Sequence, residues 1–425
     1  MNELAEIRLT ARHKGIPERA IGMTTAEFLA SGPRLSEFWT PLVVLDDAAM
    51  RHNVETMATW CAERGLELMP HGKTTMAPVL WQRQLDAGSL GITLATMGQV
   101  RTARTFGVSS IMLANAAVDE RSLRYLAGEL ADTEFRFVCW ADSIATVEAM
   151  EAPLRGAPRK LDVLVELGGE GGRTGARTID EAIAIAERIA ASDVLRLAGV
   201  AGYEGSLAHD RSVHAIDAVE TYLRRQIELH ERIGHLYDDG DVYVTAGGSA
   251  YFDLVAQVYA EAGASANAAE RPGGGRTLFT LRSGAYIVHD DGFYRGISPF
   301  DEGRASDDEP RFIPGMFGVG RVVSHPEPGL ALIDGGKRDF PFDEGLPIPR
   351  AMSAQLGAVW QPLPAASVSA MNDQHTYVRG GDLAIGDLVR LGLSHPCTAF
   401  DKWTVLPVVE SLESDVVVDL IHTFF

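Results

Sequence analysis

The stretch "PLVVLDDAAMRHNVETMATWCAERGLELMPHGKTTMAPVLWQRQLDAG", Pro41 to Gly88, contains the pattern that predicts the fold. In it, short apolar runs ("PLVVLD" and "LELMPHGK") alternate with amphipathic segments of helical length. The rhythm continues to about residue 290, with further strand candidates at 91–96, 110–115, 135–142, 160–169, 197–205 and 241–249. Eight such strands, separated by single helices, favour a closed (β/α)8 barrel of the TIM type over an open doubly wound sheet.

The pattern of predicted secondary structure changes after about Gly284. Helical segments become rare, and runs such as "LALID" and "WTVLPVV" are divided by Pro, Gly and Asp turns, which is typical of an antiparallel β-domain. We therefore predict a barrel at 36–284 and a β-domain formed by 1–35 together with 285–425.

Composition excludes several classes of protein. The 425-residue chain has a formal net charge of -20 and no Lys/Arg-rich run, so it should bind neither nucleic acid nor an anionic membrane surface. Three cysteines form no disulfide framework, and this fits a reducing compartment. No run of 18 apolar residues and no leader pattern occur, so we expect a cytoplasmic protein.

Polar residues follow the predicted strands where a barrel places its active site. Each one alone is most simply a turn or a helix cap. Lys73 is the sharpest, because its apolar neighbours would desolvate it and so lower the pKa of its amine, as a Schiff-base lysine requires. A lysine that reaches out to solvent is the alternative. The small residues of "TAGGS", 245–249, would let backbone amides approach a phosphate. Together the two features indicate a phosphorylated aldehyde cofactor.

Six motifs then carry a resemblance to a known family: "PHGKT", "GGRTGAR", "GYEGSLAH", "TAGGS", "LRSGAYIVHDDGFY" and "SHPC". In this order they resemble the fold-type III pyridoxal-phosphate enzymes related to D-serine dehydratase and D-threonine aldolase. The form "HGKTTMAP" is most similar to bacterial amino acid deaminases. The resemblance implies pyridoxal 5'-phosphate as cofactor, a small D-amino acid as substrate and a homodimer.

The resemblance also implies roles for residues of the barrel. Lys73 would carry the cofactor and take the Cα proton, and Arg173 would hydrogen-bond the phenolic oxygen of the cofactor. Tyr286 would lie on the pyridine side of the ring. The remaining cofactor-binding residues would be His71, Tyr203, Thr245, Gly247, Gly248 and Ser249.

The segment "LSHPCTAFDKW" contains a second chemical feature, His395 and Cys397. In an extended segment both side chains would lie on one face and could hold one ion, and an imidazole with a thiolate favours Zn²⁺, with Mn²⁺ as another possibility. Without the resemblance, a turn with a buried thiol is the better interpretation of the pair. The resemblance implies that the pair is a metal site. His375 is either a catalytic group or a surface histidine. The two acids of "HDDGFY", 289–294, read as a turn with solvated carboxylates.

These expectations define a metal-dependent dehydratase that converts D-serine, or another β-hydroxy D-amino acid, to a 2-oxo acid and ammonia. Retro-aldol cleavage to glycine and an aldehyde needs the same residues and is the main alternative. A racemase needs no metal pair, which argues against that activity. A non-catalytic cofactor carrier would have no reason to keep the β-domain with its His-x-Cys pair.

Overall fold

The computed structural model describes residues 2–264, 271, 274–301 and 310–425. Its strands are short and mostly buried, and their bounds in chain order are β1 Leu42–Asp46, β2 Glu67–Leu68, β3 Ile92–Leu94, β4 Ser110–Leu113, β5 Arg136–Ala141, β6 Leu161–Leu167, β7 Leu195–Gly202, β8 Val242–Ala246, β9 Thr277–Leu281, β10 Met316–Glu327, β11 Leu330–Ile333, β12 Ile348–Ser353, β13 Gln361–Pro362, β14 Ser367–Met371, β15 Thr376–Arg379, β16 Leu388–Gly392, β17 Val405–Val409 and β18 Val417–His422.

Most helices lie in the first two thirds of the chain, where they alternate with the strands. Their bounds are α1 Asn2–Ala5, α2 Thr25–Ala30, α3 Asp47–Glu63, α4 Pro78–Asp86, α5 Met97–Thr105, α6 Glu120–Glu129, α7 Ile144–Leu154, α8 Ile179–Ala190, α9 Val213–Arg232, α10 Phe252–Glu261, α11 Phe293–Ile297 and α12 Pro396–Phe400. None of the helices in the described part of the chain has the length and apolar character that crossing a membrane requires.

The predicted barrel is confirmed. Within the described residues, eight parallel strands follow one another in the order β2, β9, β8, β7, β6, β5, β4 and β3. The two outer strands are also joined, since the amide of Leu90 donates to Leu68 O and that of Thr93 to Pro70 O, each at 2.8 Å. The sheet therefore closes on itself, and apolar side chains such as Trp140 pack in its core.

Helix α8 shows how the sequence builds the outer layer of the barrel. Thr178 caps its first turn, and Glu181 completes the capping box by accepting from the amide of Thr178. The buried residues recur every three or four positions and so form one face of the helix; they are Ala182, Ile185, Ala186 and Ile189.

Two strand assignments from the sequence need correction. The run at 41–46, predicted as the first barrel strand, is β1, which pairs antiparallel with β10 and parallel with β17 in the other sheet. Strand β9 closes the barrel instead, and the sequence analysis identified no strand there. Both runs are buried and apolar, so their composition does not reveal which sheet each one joins.

The predicted antiparallel β-domain is confirmed as a second sheet. Among the described residues it has ten strands, with the path β13, β12, β16, β10, β1, β17, β18 and with β11, β15 and β14 extending from β10. Its core includes Leu42, Val44, Phe317 and Val405, against which Phe28 of the N-terminal segment packs.

The chain divides into two compact units. The first contains Met1–Thr56, Thr74–Arg83 and Ala285–Phe425, and the second contains Met57–Lys73 and Gln84–Gly284. The second unit holds the parallel barrel, and the first holds the antiparallel sheet. The domain bounds expected from the sequence, 36–284 and 1–35 with 285–425, stay a prediction.

Candidate active site

Lys73 lies at the carboxyl end of the barrel, in the short 3-10 turn Gly72–Thr74. Barrel pairing continues past the end of β2, because the amides of Met69 and His71 donate to Leu281 O and Arg282 O. The lysine thus follows directly on the last paired residues of this edge, and it is half-buried. A barrel places its chemistry at this end of its strands.

The imidazole of His71 is subject to the positive charges of three side chains. Burial is the main cause that holds the pKa of this imidazole well below its usual range, and the positive charges of Lys73, Arg282 and Arg173 lower it further. The Nδ1 atom of His71 is buried without a hydrogen-bond partner among the described residues. A neutral imidazole within a group of cations is an environment that favours an anionic ligand.

Arg173 and Tyr203 come from the loops that follow β6 and β7. The guanidinium of Arg173 lies 4.8 Å from the centre of the Tyr203 ring. The loop of Arg173 is held in place by Arg177, which donates to the carbonyls of Arg173 and Thr174 at 2.9 Å each. These two predicted cofactor residues are therefore brought together in the barrel.

The "TAGGS" segment follows β8 and has a partner that the sequence analysis did not foresee. The amides of Gly247 and Gly248 donate to the carboxylate of Glu204, at 3.0 and 2.7 Å. Thr245 is fully buried, with its hydroxyl between Arg282 Nη1 at 2.6 Å and Thr280 O at 3.0 Å. Ser249 is half-buried beside the two glycines. The segment predicted to bind a phosphate is thus held by a carboxylate and an arginine inside the barrel.

Tyr286 and His375 belong to the first unit. Tyr286 is buried in the turn Ala285–Ile287, and its ring lies 6.0 Å from that of Phe312. His375 is exposed at the turn between β14 and β15, where its carbonyl accepts from the amide of Asn372. Their proposed roles in cofactor contact and catalysis stay predictions.

His395 and Cys397 are brought together, but not on an extended segment as predicted. Pro396 starts α12, and His395 caps that helix with a left-handed φ of 47°. Proline is favoured at the first helical position, which explains why the segment turns. A hydrogen bond with the Cys397 side chain, followed by the Asp343 carboxylate, raises the pKa of His395 to about 9.

Asp343 supplies the hydrogen-bond partner of His395. Its Oδ2 lies 2.5 Å from His395 Nδ1, and its Oδ1 accepts from the Thr398 hydroxyl at 2.6 Å. Partial burial opposes ionisation, yet the hydrogen bonds from Thr398 and His395 give the Asp343 carboxyl a lowered pKa. A carboxylate on one ring nitrogen leaves the other for a metal ion, as in carboxylate–histidine–metal triads.

This donor set fits a metal ion only in part. An imidazole and a thiol at hydrogen-bonding distance are the donors that Zn²⁺ prefers. Across the described ranges, however, no three His, Cys, Asp or Glu side chains are grouped so that they could hold a metal ion. The protein would supply two ligands, and the other positions would belong to water or substrate.

The reading of "HDDGFY" as a solvated turn is wrong. Asp290 is fully buried, and burial raises its pKa to about 7 against the hydrogen bonds of backbone amides, among them that of His395. Asp291 is buried as well, and Arg350 binds its carboxylate through Nε at 2.5 Å and Nη2 at 2.6 Å. The amide of Asp291 donates to Leu393 O at 2.9 Å, so this segment packs beside the His395 loop.

Glu204, Arg282 and Asp343 were not predicted as site residues from the sequence. Arg282 follows the strand that the analysis overlooked, so recognising β9 would have placed it at a strand end. Glu204 stands in the quoted motif "GYEG", directly after Tyr203, and could have been considered. Asp343 lies 52 residues from His395, and no local pattern connects them.

The fold and these side chains define a (β/α)8-barrel protein with a cationic site around a lysine at the carboxyl end of its strands. The family model "Alanine racemase, N-terminal domain" matches residues 45–258, half of the chain, and the model "Putative serine dehydratase domain" matches 315–409. The chain belongs to the alanine racemase N-terminal domain family, in the group of fold-type III pyridoxal-phosphate enzymes that contains D-serine dehydratase and D-threonine aldolase.

Individual relatives extend the likeness over most of the chain. A D-threonine aldolase from Arthrobacter sp is 26% identical over 389 residues, which cover 89% of this chain and 91% of the aldolase. The crystal structure of D-threonine aldolase from Filomicrobium marinum has a TM-score of 0.76 at 22% identity and covers 92% of this chain and 97% of its own. D-threo-3-hydroxyaspartate dehydratase from Delftia sp. HT23 has a TM-score of 0.70 at 19% identity, over 92% and 99%. The two structures show that the fold is shared.

Proposed function

We propose that the protein is a pyridoxal-phosphate- and metal-dependent lyase that acts on β-hydroxy D-amino acids, with D-serine dehydration as the reaction. The observation that carries the proposal is the group of Lys73, Arg173 and Arg282 around the neutral His71. A lysine amine within a cationic site at the end of a barrel suits an aldehyde that bears a phosphate and a phenolate.

Four residues at the carboxyl end of the barrel have defined roles in this proposal. Lys73 would hold the cofactor covalently and move the proton at Cα of the substrate. Arg173, above the Tyr203 ring, would bind the phenolic oxygen, while Tyr203 and Ser249 would bind the phosphate. The cofactor, when bound, supplies electron withdrawal from Cα.

His395 and Cys397 would hold a divalent cation, and the imidazole–thiol donor set supports Zn²⁺. Asp343 would keep the His395 ring in the orientation that presents one nitrogen to the ion. A cation there would act as a Lewis acid on the β-hydroxyl, which is a poor leaving group.

The overall reaction balances without an oxidant or a reductant. D-serine loses the proton from Cα and hydroxide from Cβ, and one water returns when the resulting imine is hydrolysed. The products are pyruvate and ammonia.

Retro-aldol cleavage is the second candidate, and the 26% identity to a D-threonine aldolase over 389 residues supports it. In that reaction the β-hydroxyl loses its proton, the Cα–Cβ bond breaks, and a proton is added to Cα. Glycine and an aldehyde are formed. Both reactions use the same lysine and the same cation.

Product analysis separates the two candidates. The purified protein is incubated with pyridoxal phosphate and Zn²⁺ or Mn²⁺, and then with D-serine or D-threonine, with and without a chelator. Pyruvate or 2-oxobutyrate with ammonia, lost on chelation, supports the dehydratase. Glycine with acetaldehyde from D-threonine supports the aldolase. Absence of both product sets with the cofactor bound would contradict the lyase proposal.

We further propose a homodimer, on the resemblance to this group of enzymes alone. Light scattering coupled to gel filtration gives the mass directly, and a monomer of 45.9 kDa would contradict the proposal.

A further inference from the structure

The turn Gly247–Gly248 is bound at each of its polar backbone groups. Its two amides donate to the two carboxylate oxygens of Glu204, at 3.0 and 2.7 Å. Its two carbonyl oxygens share the single hydroxyl donor of Ser283, at 3.2 and 3.1 Å. The amide of Arg282 adds a bond to Gly247 O at 3.2 Å. A glycine pair would otherwise be the most mobile part of the segment, and here side chains of the barrel fix it.

Glu204 is the central group of this arrangement. It follows β7, at the start of the turn Glu204–Ser206, and its side chain is fully buried. A buried carboxylate requires hydrogen bonds, and two successive amides of one turn provide them in bidentate geometry. Gly247 has a φ of +91°, which a residue with a Cβ rarely adopts, so the geometry that Glu204 stabilises also requires glycine.

The same turn touches a predicted phosphate-binding residue. A Cβ placed on Gly248 would lie 2.9 Å from Cε2 of Tyr203, so the turn packs directly against that ring. Tyr203 precedes Glu204 in the chain, and Ser249 follows Gly248. The carboxylate therefore connects the ends of two neighbouring strands, β7 and β8, after which Tyr203 and Ser249 lie.

We propose that Glu204 is a positioning residue for the phosphate of the cofactor, because its carboxylate fixes the Gly247–Gly248 turn and so pre-organises Tyr203 and Ser249 to bind that group. The inference rests on the proposed function, since it assumes that pyridoxal phosphate binds in this barrel. It assigns to the two glycine amides a structural bond to Glu204, in place of the direct phosphate contact expected from the sequence.

Pyridoxal, which lacks only the phosphate, gives the test its selectivity. Apoprotein of wild type and of Glu204→Gln is titrated with pyridoxal phosphate and with pyridoxal, and each dissociation constant is read from the visible absorption. The glutamine keeps the size of the side chain, but its NH₂ group faces a glycine N–H and cannot accept. We expect the affinity for pyridoxal phosphate to fall about tenfold to a hundredfold, on the magnitude of a lost charged hydrogen bond, and that for pyridoxal to stay within about twofold.

Two further variants make the result decisive. Asp46→Asn changes another buried carboxylate that accepts from a backbone amide, that of Ala49 at 3.0 Å, and it should leave both affinities unchanged. Ser283→Ala releases the carbonyl side of the turn, and it should weaken pyridoxal phosphate selectively, as Glu204→Gln does. It also carries the test if Glu204→Gln does not fold.

The outcomes separate this inference from the function on which it rests. Wild type that binds neither compound contradicts the proposed function, and the inference fails with it. Wild type that binds both, with variants that weaken them equally, shows a structural role only and overturns the inference. Tighter binding of pyridoxal phosphate by Glu204→Gln overturns it too, because the carboxylate would then compete with the phosphate.

Discussion

The thiol of Cys397 donates a hydrogen bond to the hydroxyl of Thr74, with a Sγ–Oγ1 distance of 3.4 Å. Both residues belong to the first unit, and Thr74 is the residue that follows Lys73 in the chain. One short segment, "GKT", therefore carries the proposed cofactor lysine and the partner of the proposed metal thiol.

Replacing Lys73 with alanine should abolish both the visible absorption of the protein with pyridoxal phosphate, at about 410 to 430 nm, and its activity. The physical reason is that Lys73 supplies the amine that would hold the cofactor covalently at this strand end. Lys160→Ala is the matched control, because that lysine donates to Ser192 O at the other end of the barrel strands. Survival of the absorption band in Lys73→Ala would remove the central assignment.

Replacing Cys397 with alanine should leave binding of pyridoxal phosphate intact and reduce turnover by about 100-fold, which is the magnitude typical of a lost metal ligand or its support. Equilibrium dialysis against Zn²⁺ should show weaker metal binding. Cys61→Ala removes a buried thiol far from His395 in the sequence and should bind Zn²⁺ as wild type does. An unchanged rate and unchanged metal binding in Cys397→Ala would exclude the metal role.

The fold was predictable from the alternation of strands and helices, because each barrel strand and each helix is a local pattern. The sequence did not predict which sheet two of the strands would join. The run at 41–46 and β9 are both short, apolar and buried, and pairing is decided by contacts distant in the sequence. Lys73 and the "TAGGS" turn were found because they follow strands. Glu204, Arg282 and Asp343 act through hydrogen bonds to residues 43, 37 and 52 positions away, and the local sequence around each of them does not reveal those partners.

Replacing Arg350 with alanine should lower the free energy of unfolding by about 2 to 3 kcal/mol, because the buried Asp291 loses its bidentate partner. Arg295 also binds this carboxylate and limits the loss. Urea titration measures the change. Arg124→Ala removes an exposed ion pair with Glu120 and should cost less than about 0.5 kcal/mol. Equal losses in the two variants would contradict the stabilising role assigned to the ion pair between Arg350 and the buried Asp291.

Stability should fall as the pH decreases from about 6.5 to 4, in part because of His422. Burial, with a smaller contribution from the charge of His13, lowers the pKa of His422 to about 4, while an unfolded histidine titrates near 6.5. Between these pH values the unfolded chain takes up a proton that the folded chain does not, so the free energy of unfolding decreases as the pH falls. Above about pH 7 the histidine is neutral in both states, and it makes no further difference to stability. The loss from this one group is about 2 kcal/mol at pH 5.

The variant His422→Gln tests this, since glutamine does not titrate and can still hydrogen-bond Thr25, whose hydroxyl lies 2.8 Å from the imidazole. The free energy of unfolding is measured by urea titration at pH 7 and at pH 5. The decrease from pH 7 to pH 5 should be smaller in the variant than in wild type by about 2 kcal/mol. The exposed His235→Gln serves as control and should keep the wild-type difference. If His422→Gln retains the full wild-type dependence on pH, the buried imidazole is not the group that titrates on unfolding.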